Sequence, residues 1–149
     1  MKRRHFLSLV AGTAAAALGA RDSRAAAADP FAPLVAKVTG GAQLREGRVK
    51  LDLPRLADNG HSVPLRIVVD SPMTAADHVR SITLLSGRNP RPLMATFHLG
   101  PRAGRPELAT RVRLNGTQRV LAVAQLSDGS FWSGSAEVEV TESACLDAG

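Results

Sequence analysis

The sequence predicts an all-β fold: an antiparallel immunoglobulin-like β-sandwich of about seven strands, with a short N-terminal helix and a flexible C-terminal tail. Three observations predict it. Short stretches alternate apolar and polar residues with the two-residue period of a half-buried strand. Turn residues separate these stretches at regular intervals, among them Asp58–Gly60, Asn115-Gly116 and Asp128-Gly129. Beyond the first forty or so residues hardly any segment carries a helical period.

Taken in order, Pro30–Lys37 (PFAPLVAK) reads as the helix, entered at Asp29-Pro30 and ended by Gly40-Gly41. Arg48–Leu53 alternates with Val49, Leu51 and Leu53 on one face. Ser62–Asp70 aligns Val63, Leu65, Ile67 and Val69, and Pro64 places it at an edge or at a strand start. SPMTAADHV is a turn, with Thr74 reaching towards Asp77. Val79–Ser86 and Leu93–Leu99 are the next strands, joined by a GRNPRP loop. A second Pro/Gly/Arg loop, Gly100–Pro106, leads to Glu107–Leu114, which Arg119–Leu126 answers across an Asn115-Gly116 hairpin turn. Phe131–Thr141 closes the fold, with Ala136, Val138 and Val140 alternating against Glu137 and Glu139.

The N-terminus has the form of an export signal. Lys2, Arg3 and Arg4 precede an apolar run from Phe6 to Ala20, and small residues cluster at Ala26–Ala28. Arg3-Arg4 followed by Phe6-Leu7 resembles the twin-arginine signal, so residues 1–28 are expected to be removed on passage to the periplasm. The run is shorter than the roughly 20 residues that span a bilayer, so no membrane anchor is expected after cleavage. Of the 19 basic and 13 acidic residues, five basic (Lys2, Arg3, Arg4, Arg21, Arg24) and one acidic (Asp22) lie in this segment, leaving 14 against 12. The basic balance thus belongs mainly to the signal, and nucleic-acid binding is not expected.

Motifs for enzymatic chemistry are absent. The chain has no C-x-x-C, C-x-x-C-H, H-E-x-x-H, P-loop or G-x-S-x-G. His61, His78 and His98 stand singly; a metal site from His78, Met94 and His98 weighs less than three surface histidines, and no metal is expected. Arg102 and Arg105 read as a solvated loop, Phe131-Trp132 as core packing, and the sequon at Asn115–Thr117 as a turn.

Cys145 (TESACLDAG) is the only cysteine in 149 residues. An oxidising compartment consumes free thiols, which leaves an intermolecular disulfide, a reactive thiol or a buried inert one. A strand ending near Thr141 would leave Glu142–Gly149 without a partner, and four links would carry the thiol roughly 13 Å from the sandwich. Such a thiol suits covalent carriage of a group between enzymes; an incidental tail cysteine is the other reading.

VPLRIVVDSPMT, FHLGPRAGRPELATRVRL and LSDGSFWSGSAEVEVT, followed by a short tail with one cysteine, resemble the SoxY family, the sulfur-carrying subunits of bacterial thiosulfate oxidation. The resemblance covers nearly the whole chain after the signal. It implies a sandwich of residues 29–141, a carrier arm of residues 142–149 and a sulfur intermediate held on Cys145 as the attachment site. It implies no catalytic residue and no cofactor beyond that bound sulfur species. The partners implied are a SoxZ-like sandwich subunit, a c-type cytochrome that couples thiosulfate to the thiol, a sulfate-releasing hydrolase and a sulfur dehydrogenase. The tail departs from the family's Gly-Gly-Cys-Gly-Gly: Ala144 and Leu146 make it stiffer and wider. Glu142, Asp147 and the terminal carboxylate are expected to raise the thiol pKa, leaving activation to the visited enzyme. The rival from another class is an exported immunoglobulin-like interaction module whose cysteine is incidental or forms a mixed disulfide.

Overall fold

The computed structural model describes residues 28–144. The expected export signal, Ala28 excepted, and Cys145 lie outside the described residues. Ala32–Thr39 forms the helix α1, with Pro33 in its first turn, and Gly40 in the left-handed region (φ 64°) ends it. Nine strands follow: β1 Leu44–Glu46, β2 Val49–Asp52, β3 Leu56–Asn59, β4 Val63–Val69, β5 Val79–Ser86, β6 Leu93–His98, β7 Glu107–Val112, β8 Gln118–Leu126 and β9 Phe131–Glu142. They make two sheets, one in the order β1-β9-β8-β5-β6 with β3 also on β9, the other β2-β4-β7.

The alternation in β4 does what its sequence requires. Val63, Leu65, Ile67 and Val69 turn inward and are buried, while Pro64 and Arg66 face solvent. They meet Ile82, Leu84, Val120, Ala122, Ala124 and Val138 of the larger sheet, which is the core between the layers. β5 and β8 are buried almost continuously, because their other face is covered too. There Phe31, Leu34, Val35 and Val38 of the helical segment pack on Leu85, Leu121, Val123 and Phe131. Arg119 reaches over the Phe31 ring at 4.8 Å and bonds Asp29 at 2.6 Å, which fixes the entry to α1.

Two strands and two turns differ from the sequence reading. β1 and β3 were not expected; both are short and pair parallel to β9, β1 with Phe131–Ser133 and β3 with Glu139–Glu142. Twelve residues of β9 give room for both on one edge. Residues 58–60, expected as a turn, are partly drawn into β3. Asn115-Gly116 is no hairpin turn: β7 belongs to the smaller sheet and β8 to the larger, so residues 113–117 cross between layers.

The sandwich has one closed and one open seam. At the closed seam Gly47 donates to the Ser133 carbonyl at 3.0 Å, and Gly134 lies against β2. At the other, β6 and β7 end their sheets without pairing to each other. Among the described residues no helix is long and apolar enough to cross a membrane.

A Cβ on Gly134 would stand 2.1 Å from the Val49 carbonyl oxygen, so Gly134→Ala must push the sheets apart. We expect a loss of about 1–3 kcal/mol, read as a lower urea midpoint with an unchanged m-value.

Candidate functional site

The end of β9 leads to Cys145, and it is held further along than the sequence suggests. β9 runs to Glu142, whose carbonyl accepts the Gly60 amide at 2.8 Å. Gly60 returns its own carbonyl to the Leu114 amide at 2.8 Å, and the Leu114 carbonyl accepts the Ala144 amide at 3.2 Å. Side chains repeat the tie: Thr141 Oγ1 donates to the Asp58 carbonyl at 2.7 Å, and Ser143 Oγ donates to Asn115 Oδ1. The expectation that nothing pairs with residues beyond Thr141 is therefore corrected for Glu142–Ala144. Their partners are the β3–β4 and β7–β8 connections, which no strand pattern reveals. One peptide link, about 3.8 Å between Cα atoms, separates the bonded Ala144 from Cys145.

Gly60 makes this knot possible. It is buried, and a Cβ there would lie 2.2 Å from the Leu114 oxygen and 3.1 Å from both the Ala144 nitrogen and the Glu142 oxygen. Glycine is required for the close approach of three backbone segments.

Behind the knot lies a polar network. Ser86 Oγ donates to Gln118 Oε1 and accepts the Asn89 amide at 2.8 Å. Asn89 Oδ1 accepts the Asn115 amide at 2.8 Å and Gln118 Nε2 at 3.1 Å, and Asn89 Nδ2 donates to the Arg113 carbonyl at 2.8 Å. Thr117 Oγ1 accepts the Val140 amide at 3.0 Å. Ser86 and Gln118 are buried, so each unmade bond would cost a buried polar group its partner. The network fixes the β5–β6 and β7–β8 connections to each other and, through Asn115, to Ser143.

These connections also bring cations to the arm's root. The Arg88 guanidinium lies on the Gly116 turn, and Arg91, Arg111 and Arg113 line the open seam between β6 and β7. Sequence reasoning weighed the charges along the tail and missed these; a run of arginines flanking both loops was the available signal.

The remaining candidates separate. His78 Nδ1 pairs with the Thr74 carbonyl at 3.0 Å, His98 sits exposed at the end of β6, and no group of three or more metal-ligating side chains forms among the described residues. Arg102 and Arg105 are exposed in and beside a short 3-10 turn. Phe131 is core, as expected, and Trp132 packs half-buried against the core with Arg45 and Arg48 each 5.5 Å from its ring. Asp128 accepts Ser130 Oγ at 2.6 Å and its amide at 2.9 Å, which holds its carboxyl below the usual carboxylate range.

Residues 35–145 match the sequence profile of a family described as sulfur oxidation protein SoxY. No curated protein matches the chain. Among solved structures, the sulfur carrier protein SoxY from Chlorobium limicola f thiosulfatophilum is similar with a TM-score of 0.61 and 25% identity, over 72% of this chain and 89% of that one. A superoxide reductase (neelaredoxin) from Ignicoccus hospitalis follows at a TM-score of 0.56 and 19% identity, over 63% of this chain and 80% of that one. A putative superoxide reductase from Thermotoga maritima stands at 0.55 and 19%, over 66% and 87%. The reductase likenesses concern the fold alone.

Gly60→Ala is expected to loosen the arm's root. Amide exchange at Leu114 and Ala144 should quicken at least about tenfold, equivalent to about 1.4 kcal/mol of local opening. Gly100→Ala, where a Cβ meets nothing within 4 Å, should leave both rates unchanged.

Proposed function

The chain belongs to the SoxY family of sulfur oxidation proteins, and from that premise we propose that it is a periplasmic carrier holding its sulfur intermediate covalently on Cys145. One observation carries the assignment of the residue. The family match spans all nine strands and reaches Cys145, so the only thiol in the chain falls at the last matched position. The bonded root supports the same reading, since the chain is held as far as Ala144, the residue that precedes Cys145.

The chemistry divides between carrier and visiting enzymes. The Cys145 thiolate and thiosulfate join through a new S–S bond, giving Cys145–S–S–SO3−, and two electrons pass to a c-type cytochrome. Water then displaces the sulfonate as sulfate with release of two protons, and a persulfide stays on the cysteine. A thiol without a resolving neighbour keeps this cargo, because no internal disulfide can expel it. The protein contributes attachment and position, the partners contribute the oxidant, the hydrolytic water and the acid–base groups.

A SoxZ-like subunit as companion, and export of the pair by one twin-arginine signal, complete the proposal. The family membership supports the first and the Arg3-Arg4 motif the second.

Intact-mass analysis of protein recovered from thiosulfate-fed cells tests the attachment. Sulfur-containing adducts should appear on the C-terminal peptide and vanish in Cys145→Ser. An unmodified thiol throughout turnover, or adducts that persist in Cys145→Ser, would overturn it.

A further inference from the structure

We infer that β6, the free edge of the larger sheet, is a docking edge that takes an edge strand of a partner protein flanked by carboxylates. The inference rests on the reading that this chain works with a second sandwich subunit, and it assigns the strand on which that subunit docks.

β6 ends the larger sheet, so one side of its backbone has no partner strand. The ladder fixes which residues present that side. Leu99 donates to the Arg80 carbonyl at 2.8 Å, and the register sets Phe97 opposite Ile82 and Ala95 opposite Leu84. Bonded pairs alternate in an antiparallel ladder, so Ala95 and Phe97 bond β5 while Thr96 and His98 turn their amides and carbonyls outward. Both of these are exposed. Met94 is an extra residue between the Leu93 and Ala95 pairings, so the regular free edge begins at Ala95.

The edge is also unguarded. β1, β2, β3 and β7 likewise pair on one side only, but each carries a charged residue, and β1 and β3 are only three and four residues long. β6 reads LMATFH, with no proline and no Lys, Arg, Asp or Glu. Leu93 is half exposed, and Met94 and Phe97 are only partly buried along the groove of about 390 Å³ beside the strand. Charge and proline are the usual guards of an edge, so a strand without them is a template for another.

Charge decides the occupant. From His78 to Pro106 the chain holds five arginines, Arg80, Arg88, Arg91, Arg102 and Arg105, and no carboxylate. All five are exposed, and none forms an ion pair with a described residue. Arg91 precedes the strand by two residues, while Arg80 lies beside its far end and Arg102 just past it. A second copy paired antiparallel would set Arg91 of each against Arg80 and Arg102 of the other; paired parallel, it would set Arg91 against Arg91. Both arrangements join like charges. A strand with Asp or Glu at its ends turns the same cations into ion pairs and fixes the register.

The test is amide exchange on the full chain, free and in complex with the SoxZ-like subunit from the same source. We expect Thr96 and His98 to exchange at least about tenfold more slowly in the complex, and β3, at the opposite edge of the sheet, to keep its free rate. Thr96→Pro removes an outward amide and no backbone bond to β5, and should weaken the complex at least about tenfold. Arg91→Glu/Arg102→Glu should do the same, and Arg55→Glu, beside β3, should not. If the complex forms while Thr96 and His98 exchange at the free rate, or is indifferent to both variants, β6 is not the docking edge and the companion reading stands. If those amides already slow in the chain alone as its concentration rises, a second copy holds the edge and the inference falls. If no complex forms, the companion reading fails and takes this inference with it.

Discussion

The structure depends on a backbone knot at one end of the sandwich. Gly60 donates to Glu142 and accepts from Leu114, and Leu114 accepts from Ala144. These bonds join three segments far apart in sequence, and they can form only where residue 60 has no side chain. Without the knot, β9 would end as an ordinary edge and the direction of the chain beyond it would be unspecified. With it, the last residues before Cys145 inherit the rigidity of both sheets.

The rest of the fold serves this end unequally. The seam between β2 and β9 is shut by the approach of Gly134 to Val49, so the layers cannot slide there. The opposite seam stays open, and its rim carries arginines from the β5–β6 and β7–β8 connections. A buried network through Ser86, Gln118 and Asn89 holds those connections in register with the chain end. Fully bonded, such a network specifies one arrangement; a missing member would leave a buried amide unpaired.

The alternation of β4 and the buried runs of β5 and β8 were legible because burial leaves a direct mark on residue type. β1 and β3 were not, since three or four residues give no period to read and their partner lies more than eighty residues away. Asn115-Gly116 misled for a related reason. Its composition fits a hairpin, but Leu114 is buried between the layers, so the chain crosses from one sheet to the other. The family likeness was legible from three long segments. The arm's true root was hidden, because Ser143 and Ala144 find their partners in loops rather than strands. The tail still departs from a glycine-flanked pattern. A bonded Ala144 gives that departure a physical sense, since a residue that takes part in the knot does not need a glycine's freedom.

The central claim is that the chain is fixed through Ala144, the residue that precedes Cys145. Nitrogen-15 relaxation of the free protein tests it most directly. The account predicts backbone order parameters of about 0.85 at Glu142, Ser143 and Ala144, equal to those of β8. Values falling below about 0.6 from Glu142 onward would contradict it.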